Sequence, residues 1–205
     1  MNHTNRRIPC DCARPPCRIT PIATRLLTVG HGTLAAEDFT ALLHGAAVAE
    51  LVDVRTAPGS KRHPHFRRQA MEDWVPAASI DYRWEPRLGG LRKPRPDSPN
   101  VALRHPGFRA YADHMADPEF APALDEVLAG AARHATAVMC AESLWWKCHR
   151  RLIADFAVLV RGVDVEHLLH DGRLSDHRIT EGARREGDLV IYDVGVNQSF
   201  GALGS

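Results

Sequence analysis

Val138 to Asp155, VMCAESLWWKCHRRLIAD, sets the reading of the whole chain. A short apolar run ends there in sulfur, carboxylate, imidazole and guanidinium groups before helical spacing resumes. Ala135 to Cys140 has the length and apolar character of a buried strand. From Lys147 onward, Leu152, Ile153, Phe156, Leu159 and Val160 recur at intervals of one, three and four, the stripe of a helix of period 3.6. A loop from strand end to helix start gathers unpaired backbone N–H groups at the positive end of the helix dipole. That setting favours an anion and lowers the pKa of a nearby thiol. Cys148, followed by His149 and Arg150, is therefore expected in the first helical turn as an activated thiolate. Cys140 is expected on the strand, as a second thiol or as the small buried hydrophobe that free cysteine often is. Trp145 and Trp146 read as packing or a pocket wall.

Working outward, Arg25 to Val29 is a strand candidate that runs straight into Gly30, His31, Gly32 and Thr33, where glycines permit a tight turn and close approach of a ligand. Glu37 to Ala46 carries Phe39, Leu42 and Leu43 on one helical face, and Glu50 to Val54 is a second buried strand. Strand, helix, strand in that order predicts a parallel sheet with a crossover helix. Asp53 and Arg55 close the second strand, where a charge is buried unless it is paired or placed at an open edge. A helix from near Phe66 to Ala78, halted at Pro76, leads to a third strand, Ser79 to Trp84, which delivers Tyr82. Gly90 to His105 is a long loop without apolar rhythm, of the kind that is usually a lid, a binding loop or disordered. Helices are predicted over Phe108–Met115 and Ala121–Ala132, and a further strand over Val163–Leu169, with His167 read as a hydrogen-bonded structural residue. A short helix over Ser175–Arg184 and a possible edge strand over Leu189–Val194 complete the chain. The fold class is α/β: a mostly parallel sheet flanked by helices in a single domain, residues 24–184, with a leader (1–23) and a tail (185–205).

Composition narrows the function classes. With 44% apolar and 25% charged residues, this is an ordinary globular chain long enough to bury a core. A formal charge of +1 argues against a general polyanion binder. The charge is uneven, however: Arg55 to Arg95 holds ten Lys/Arg against four Asp/Glu, a local excess of +6. No run of eighteen apolar residues exists, so no membrane partner is expected. Arg6 and Arg7 are followed by no apolar segment of a secretory signal, which makes the cytoplasm the default location. Five cysteines, unevenly placed, form no disulfide framework. Cys10, Cys12 and Cys17 lie in the aperiodic leader, which reads as a disordered extension rather than a metal knuckle.

In open parallel sheets ligands bind outside the carboxyl ends of the strands. His31 and Thr33 follow the first strand, Asp53 and Arg55 end the second, and Glu142 to Arg150 follow the fourth, so all three clusters should meet at one edge. These motifs also carry a resemblance. Thr28-Val29-Gly30-His31-Gly32-Thr33, Asp53-Val54-Arg55 with Pro58 and Phe66, Tyr82 before Leu88-Gly89-Gly90, and Cys140-Ala141-Glu142 with Cys148-His149-Arg150 resemble the bacterial family catalogued as domain of unknown function 488, over roughly Leu26 to Ile179. The chain departs from the family pattern at Trp145-Trp146, where a proline-containing loop is expected, and at His-Gly-Thr, where His-Ser is commoner. The resemblance implies the fold and the site but no activity.

The leading expectation is an enzyme with a thiol-centred, anion-accepting site for a small anionic substrate or nucleotide. Cys148 would be the thiolate, His31 or His149 would move a proton, and Glu142 would act as base or hold an arginine. Arg55 and Arg150 would grip a phosphate or carboxylate, with Thr33, Asp53, Tyr82 and Cys140 completing the substrate site. No cofactor is implied. The rival is a nucleic-acid or nucleotide binding module using the Arg55–Arg95 segment with its interleaved aromatics. A metal site of Cys140, Cys148 and a histidine ranks third, since its spacing along the chain matches no zinc pattern.

Overall fold

The computed structural model describes residues 24–195. Cys10, Cys12 and Cys17, like Gly201–Ser205, lie outside the described residues. Within them run β1 (Arg25–Gly30), α1 (Ala36–Gly45), β2 (Glu50–Asp53), α2 (Arg68–Ala77), β3 (Asp81–Trp84), α3 (Pro106–His114), α4 (Phe120–Ala131), β4 (Thr136–Cys140), α5 (Arg150–Arg161), β5 (Asp164–Leu168), β6 (Leu174–Asp176), β7 (Ala183–Glu186) and β8 (Leu189–Tyr192). Six strands form one sheet in the order β3-β2-β4-β1-β5-β6. The first five are parallel and β6 closes the edge antiparallel to β5. The fold is α/β, mostly parallel, with helices on both faces.

Side-chain alternation along the strands explains the layers. Leu26, Val52, Val138 and Cys140 pack with Tyr111, Leu124 and Phe156 of α3, α4 and α5. Their neighbours Leu27, Val29, Leu51, Ala137 and Met139 pack with Phe39, Leu43, Met71 and Val75 of α1 and α2. A strand covered on both faces must be apolar at every position, and all five residues of β4 are buried. Register then aligns the carboxyl ends: Gly30 lies opposite Cys140, and Asp53 lies opposite both Met139 and Trp84.

Two predicted elements differ. The expected helix over 175–184 is absent; β6 pairs with β5 there, and β7 begins at Ala183. The strand expected near 189–194 exists as β8, yet it joins β7 in a separate two-stranded sheet instead of extending the main one. Gly187, at φ 61°, supplies the left-handed residue that a two-residue hairpin turn requires, and the Gly-Asp pair at 187–188 is the sequence signal for it. The hairpin packs on α5: Tyr192 is fully buried and its hydroxyl donates to Asp155 Oδ2 at 2.9 Å. β7 therefore spans residue 184 and binds the segment after it to the body of the fold. α2 ends one residue beyond Pro76, close to where proline was expected to halt it.

Candidate functional site: two cysteines and an imidazole at the carboxyl edge

Cys140 ends β4, buried among the side chains of the α3–α5 face. The chain then makes a short 3-10 turn over Trp145–Lys147 before Cys148, which is extended (φ −123°, ψ 152°). His149 is the N-cap of α5, and the helix begins at Arg150. Cys148 thus lies two residues before the first helical turn, not within it as the apolar spacing suggested. Its extended backbone brings its sulfur back beside Cys140.

His149 bridges the two sulfurs. Its Nδ1 is 3.6 Å from Cys148 Sγ and 3.7 Å from Cys140 Sγ, while Nε2 lies 3.1 Å from the carbonyl oxygen of Val54. A carbonyl only accepts, so Nε2 carries a proton, and in the neutral ring Nδ1 presents its lone pair to the thiols. Gly90 makes this placement possible. A β-carbon there would fall inside the van der Waals radius of the imidazole, at Nδ1 and Cγ. On its other side the ring meets Tyr111, with centroids 5.0 Å apart.

Arg150 is 1% exposed and fully engaged. Its Nε donates to Cys148 Sγ at 3.4 Å, Nη1 to Thr28 Oγ1 at 3.3 Å, and Nη2 to the carbonyl oxygen of Glu142. Gly30 leaves the space for that last contact, since a β-carbon would collide with the Glu142 carbonyl. Burial opposes ionisation of Cys148, but the hydrogen bond from Cys140, the imidazole of His149 and the guanidinium of Arg150 outweigh it and hold this thiol well below its ordinary value. Cys140 is pushed well above, because it donates a hydrogen bond to Cys148, is itself buried, and faces the charge on Cys148. Of the two sulfurs, Cys148 is the one that ionises.

The remaining expected groups form a second layer. Asp53 is fully buried and accepts from Arg55 Nε (2.8 Å), Arg55 Nη2 (2.5 Å), the Arg55 backbone N–H (3.1 Å) and the Tyr82 hydroxyl (2.8 Å). Tyr82 is correspondingly held far above its ordinary value by burial and the adjacent carboxylate. Arg55 Nη1 donates to His31 Nε2 at 3.2 Å, and His31 Nδ1 lies 2.9 Å from the carbonyl of Gly32. Both ring nitrogens of His31 are engaged, its ring stacks on Phe66 at 4.0 Å, and burial beside Arg55 lowers its pKa to about 3. A neutral, doubly bonded imidazole is poorly suited to the proton transfer expected of it. Arg55 and Arg150, expected to grip an anion bidentately, have instead given most of their N–H groups to internal acceptors.

A cavity of about 630 Å³ opens over this floor, lined by Arg55, Cys140, Glu142, Lys147, Cys148 and His149 together with Gly90, Leu91, Phe108 and Trp146. Glu142 reaches the cavity rim with an exposed side chain, while its carbonyl does the structural work on Arg150. Thr33 is exposed and is not among the lining residues. Thr28 and the Val54 carbonyl, which orient Arg150 and His149, carry no such role in the sequence reading, whereas His167, expected as a hydrogen-bonded structural residue, bonds Thr28 at 2.6 Å. Thr28 stood inside a quoted motif but carried no chemical signal beyond its hydroxyl. In the Arg55–Arg95 segment, Arg55, Arg68, Arg83, Arg87 and Arg95 each pair with a carboxylate, which absorbs much of its local excess of charge.

Cys140, Cys148 and His149 are the residues that could hold a metal, their ligand atoms lying within 4.8 Å of one another. A tetrahedral zinc ion with bonds of about 2.3 Å to sulfur and about 2.0–2.1 Å to nitrogen separates S from N by about 3.5 Å, close to the spacing here. Among the described residues the cluster has three such ligands, and a fourth position would face the cavity.

The family model described as Domain of unknown function DUF488 matches residues 35–157, a span that holds Asp53, Arg55, Tyr82, Cys140 and Cys148 to Arg150. No curated protein and no solved structure matches the chain.

Proposed function

Because the chain belongs to the DUF488 family, whose description names no activity, we propose a function from the geometry of its own residues: an enzyme that acts through the Cys148 thiolate on a substrate held in the cavity above it. The observation that carries this reading is the orientation of His149, fixed through Nε2 on Val54 so that Nδ1 faces Cys148 Sγ at 3.6 Å. That is the nucleophile, base and orienting group of thiol catalysis. Nδ1 takes the thiol proton, the sulfur lone pair forms a bond to an electrophilic centre of the substrate, and the leaving group departs with the proton returned from Nδ1. Cys140 donates a hydrogen bond to the ionised sulfur, and Arg150 steadies it from the buried side. Asp53, Tyr82 and His31 act as the scaffold that holds the Arg55 guanidinium at the cavity wall. Glu142 and Lys147, at the rim, are the polar groups left to meet substrate.

Iodoacetamide at neutral pH tests this. Cys148 is expected to alkylate on the order of tenfold faster than a free thiol, and His149→Ala to remove that advantage. Alkylation no faster than an ordinary cysteine would remove the case for a catalytic thiol. A second reading, a metal centre, is favoured by the S–N spacing alone. Under it, purified protein would carry a stoichiometric metal by elemental analysis and Cys148 would alkylate only after chelation. The nucleic-acid alternative draws less support from the arginines of 55–95, given their carboxylate partners.

A further inference from the structure

A second cavity, of about 710 Å³, adjoins the first and shares His105, Phe108 and Trp146 with it as a common wall. Its floor differs in character. Arg104, Arg151 and Arg178 converge on it from the loop before α3, from α5 and from the segment after β6, against one carboxylate, Glu181. Arg104 and Arg178 are exposed, and neither makes an ion pair or a side-chain hydrogen bond among the described residues. Arg151 lies with its guanidinium carbon 4.6 Å over the ring of Phe108. Its Nε is buried without a hydrogen-bond partner among the described residues, as is Thr180 Oγ1 on the same wall. Buried polar atoms are satisfied in most proteins; these two are closed to solvent behind the cavity wall, so the open guanidinium groups of the three arginines are what the cavity presents to an acceptor. Arg55 and Arg150 contrast with these residues, their N–H groups being turned inward.

We propose that this second cavity is the anion subsite of the protein, taking the tetrahedral oxyanion of a small organic phosphate. The guanidiniums supply paired donors in the fork geometry that phosphate oxygens match. Arg151 Nη1 and Nη2, which make no hydrogen bond among the described residues and are not closed to solvent as its Nε is, supply the donors from α5. The shared wall of Phe108 and Trp146 then directs the apolar body of the same molecule into the first cavity, toward the sulfur of Cys148. The subsite stands on its own lining residues; that it serves the substrate of Cys148 rests on the thiol reading above. It moves the anion-accepting role from Arg55 and Arg150 to Arg104, Arg151 and Arg178, and it makes the substrate an ester or similar derivative with an apolar or aromatic portion.

Isothermal titration of the full chain with phenyl phosphate, inorganic phosphate and phenol tests this. Phenyl phosphate is expected to bind more tightly than either fragment. Arg104→Ala and Arg178→Ala, exposed positions whose loss leaves the core intact, are each expected to weaken it about tenfold, the loss of one charge-assisted hydrogen bond. In parallel, phenyl phosphate is expected to slow alkylation of Cys148 in the unsubstituted protein. Failure of phenyl phosphate to bind, or binding indifferent to both substitutions, overturns the subsite even if Cys148 alkylates rapidly. Arginine-dependent binding to a protein whose Cys148 alkylates sluggishly upholds the subsite and removes the thiol reading instead. Arginine-dependent binding without protection of a rapidly alkylated Cys148 upholds an anion site and overturns its link to the first cavity.

Discussion

Acidification should unfold this protein through two imidazoles that the fold keeps neutral. Burial, with Arg55 beside it, lowers His31 from 6.5 to about 3. Burial, with His177 and Arg150 nearby, lowers His167 equally, from 6.5 to about 3. Both folded-state values lie below the unfolded one, so stability is fully present above pH 6.5 and falls as the pH drops through the window from 6.5 to 3. There the unfolded chain binds protons that the folded chain refuses. Each group then contributes a slope of about 1.4 kcal/mol per pH unit, so near pH 5 each has withdrawn about 2 kcal/mol and the pair about 4 kcal/mol. Set against a total stability of about 5–15 kcal/mol, that is a large share. The measurement is the urea unfolding free energy at several values between neutral pH and about 5, for the unsubstituted chain and for His31→Gln and His167→Gln. Each variant begins from its own stability, since His167 bonds Thr28 at 2.6 Å and His177 at 3.0 Å; the quantity compared is the slope with pH. Each substitution is expected to flatten that slope by about 1.4 kcal/mol per unit. Parallel slopes in all three proteins would refute the argument, because they would mean that neither imidazole is held neutral by the fold.

Two further outcomes follow from the packing around the cluster. Gly90→Ala places a methyl group against His149 and must shift the ring; Cys148 should alkylate on the order of tenfold more slowly with the fold retained, as read by circular dichroism. Asp53→Asn leaves the Arg55 guanidinium buried without its carboxylate, and chemical denaturation should show a loss of about 3 kcal/mol.

The chemistry of the fold lay largely on the surface of the sequence. The apolar runs that became β1, β2 and β4 are short because a buried strand crosses a domain in a few residues, and the stripe from Leu152 to Val160 has one period because a helix has one geometry. Both are set by neighbours along the chain, so both are legible from order alone. Convergence of the motifs at one edge followed from the same reasoning, since parallel strands all end on the same side. The β7–β8 hairpin was equally written, in Gly187-Asp188, and was masked by residues that also suit a helix.

What order could not settle is which groups remain available. Arg150 meets Thr28, 122 positions away, and His149 meets Val54, 95 positions away; these contacts fix one guanidinium inward and one imidazole lone pair toward sulfur. Gly90 reads only as the start of a long loop until the ring of His149 lies on it. The lining of the second cavity comes from four separated segments, none of which forms a motif. A hydrogen-bond partner is chosen by distance in space, and a side chain's charge counts for a ligand only if the fold has left it unpaired. Secondary structure is a property of the local chain, whereas the free valence of a polar group is a property of the packed molecule.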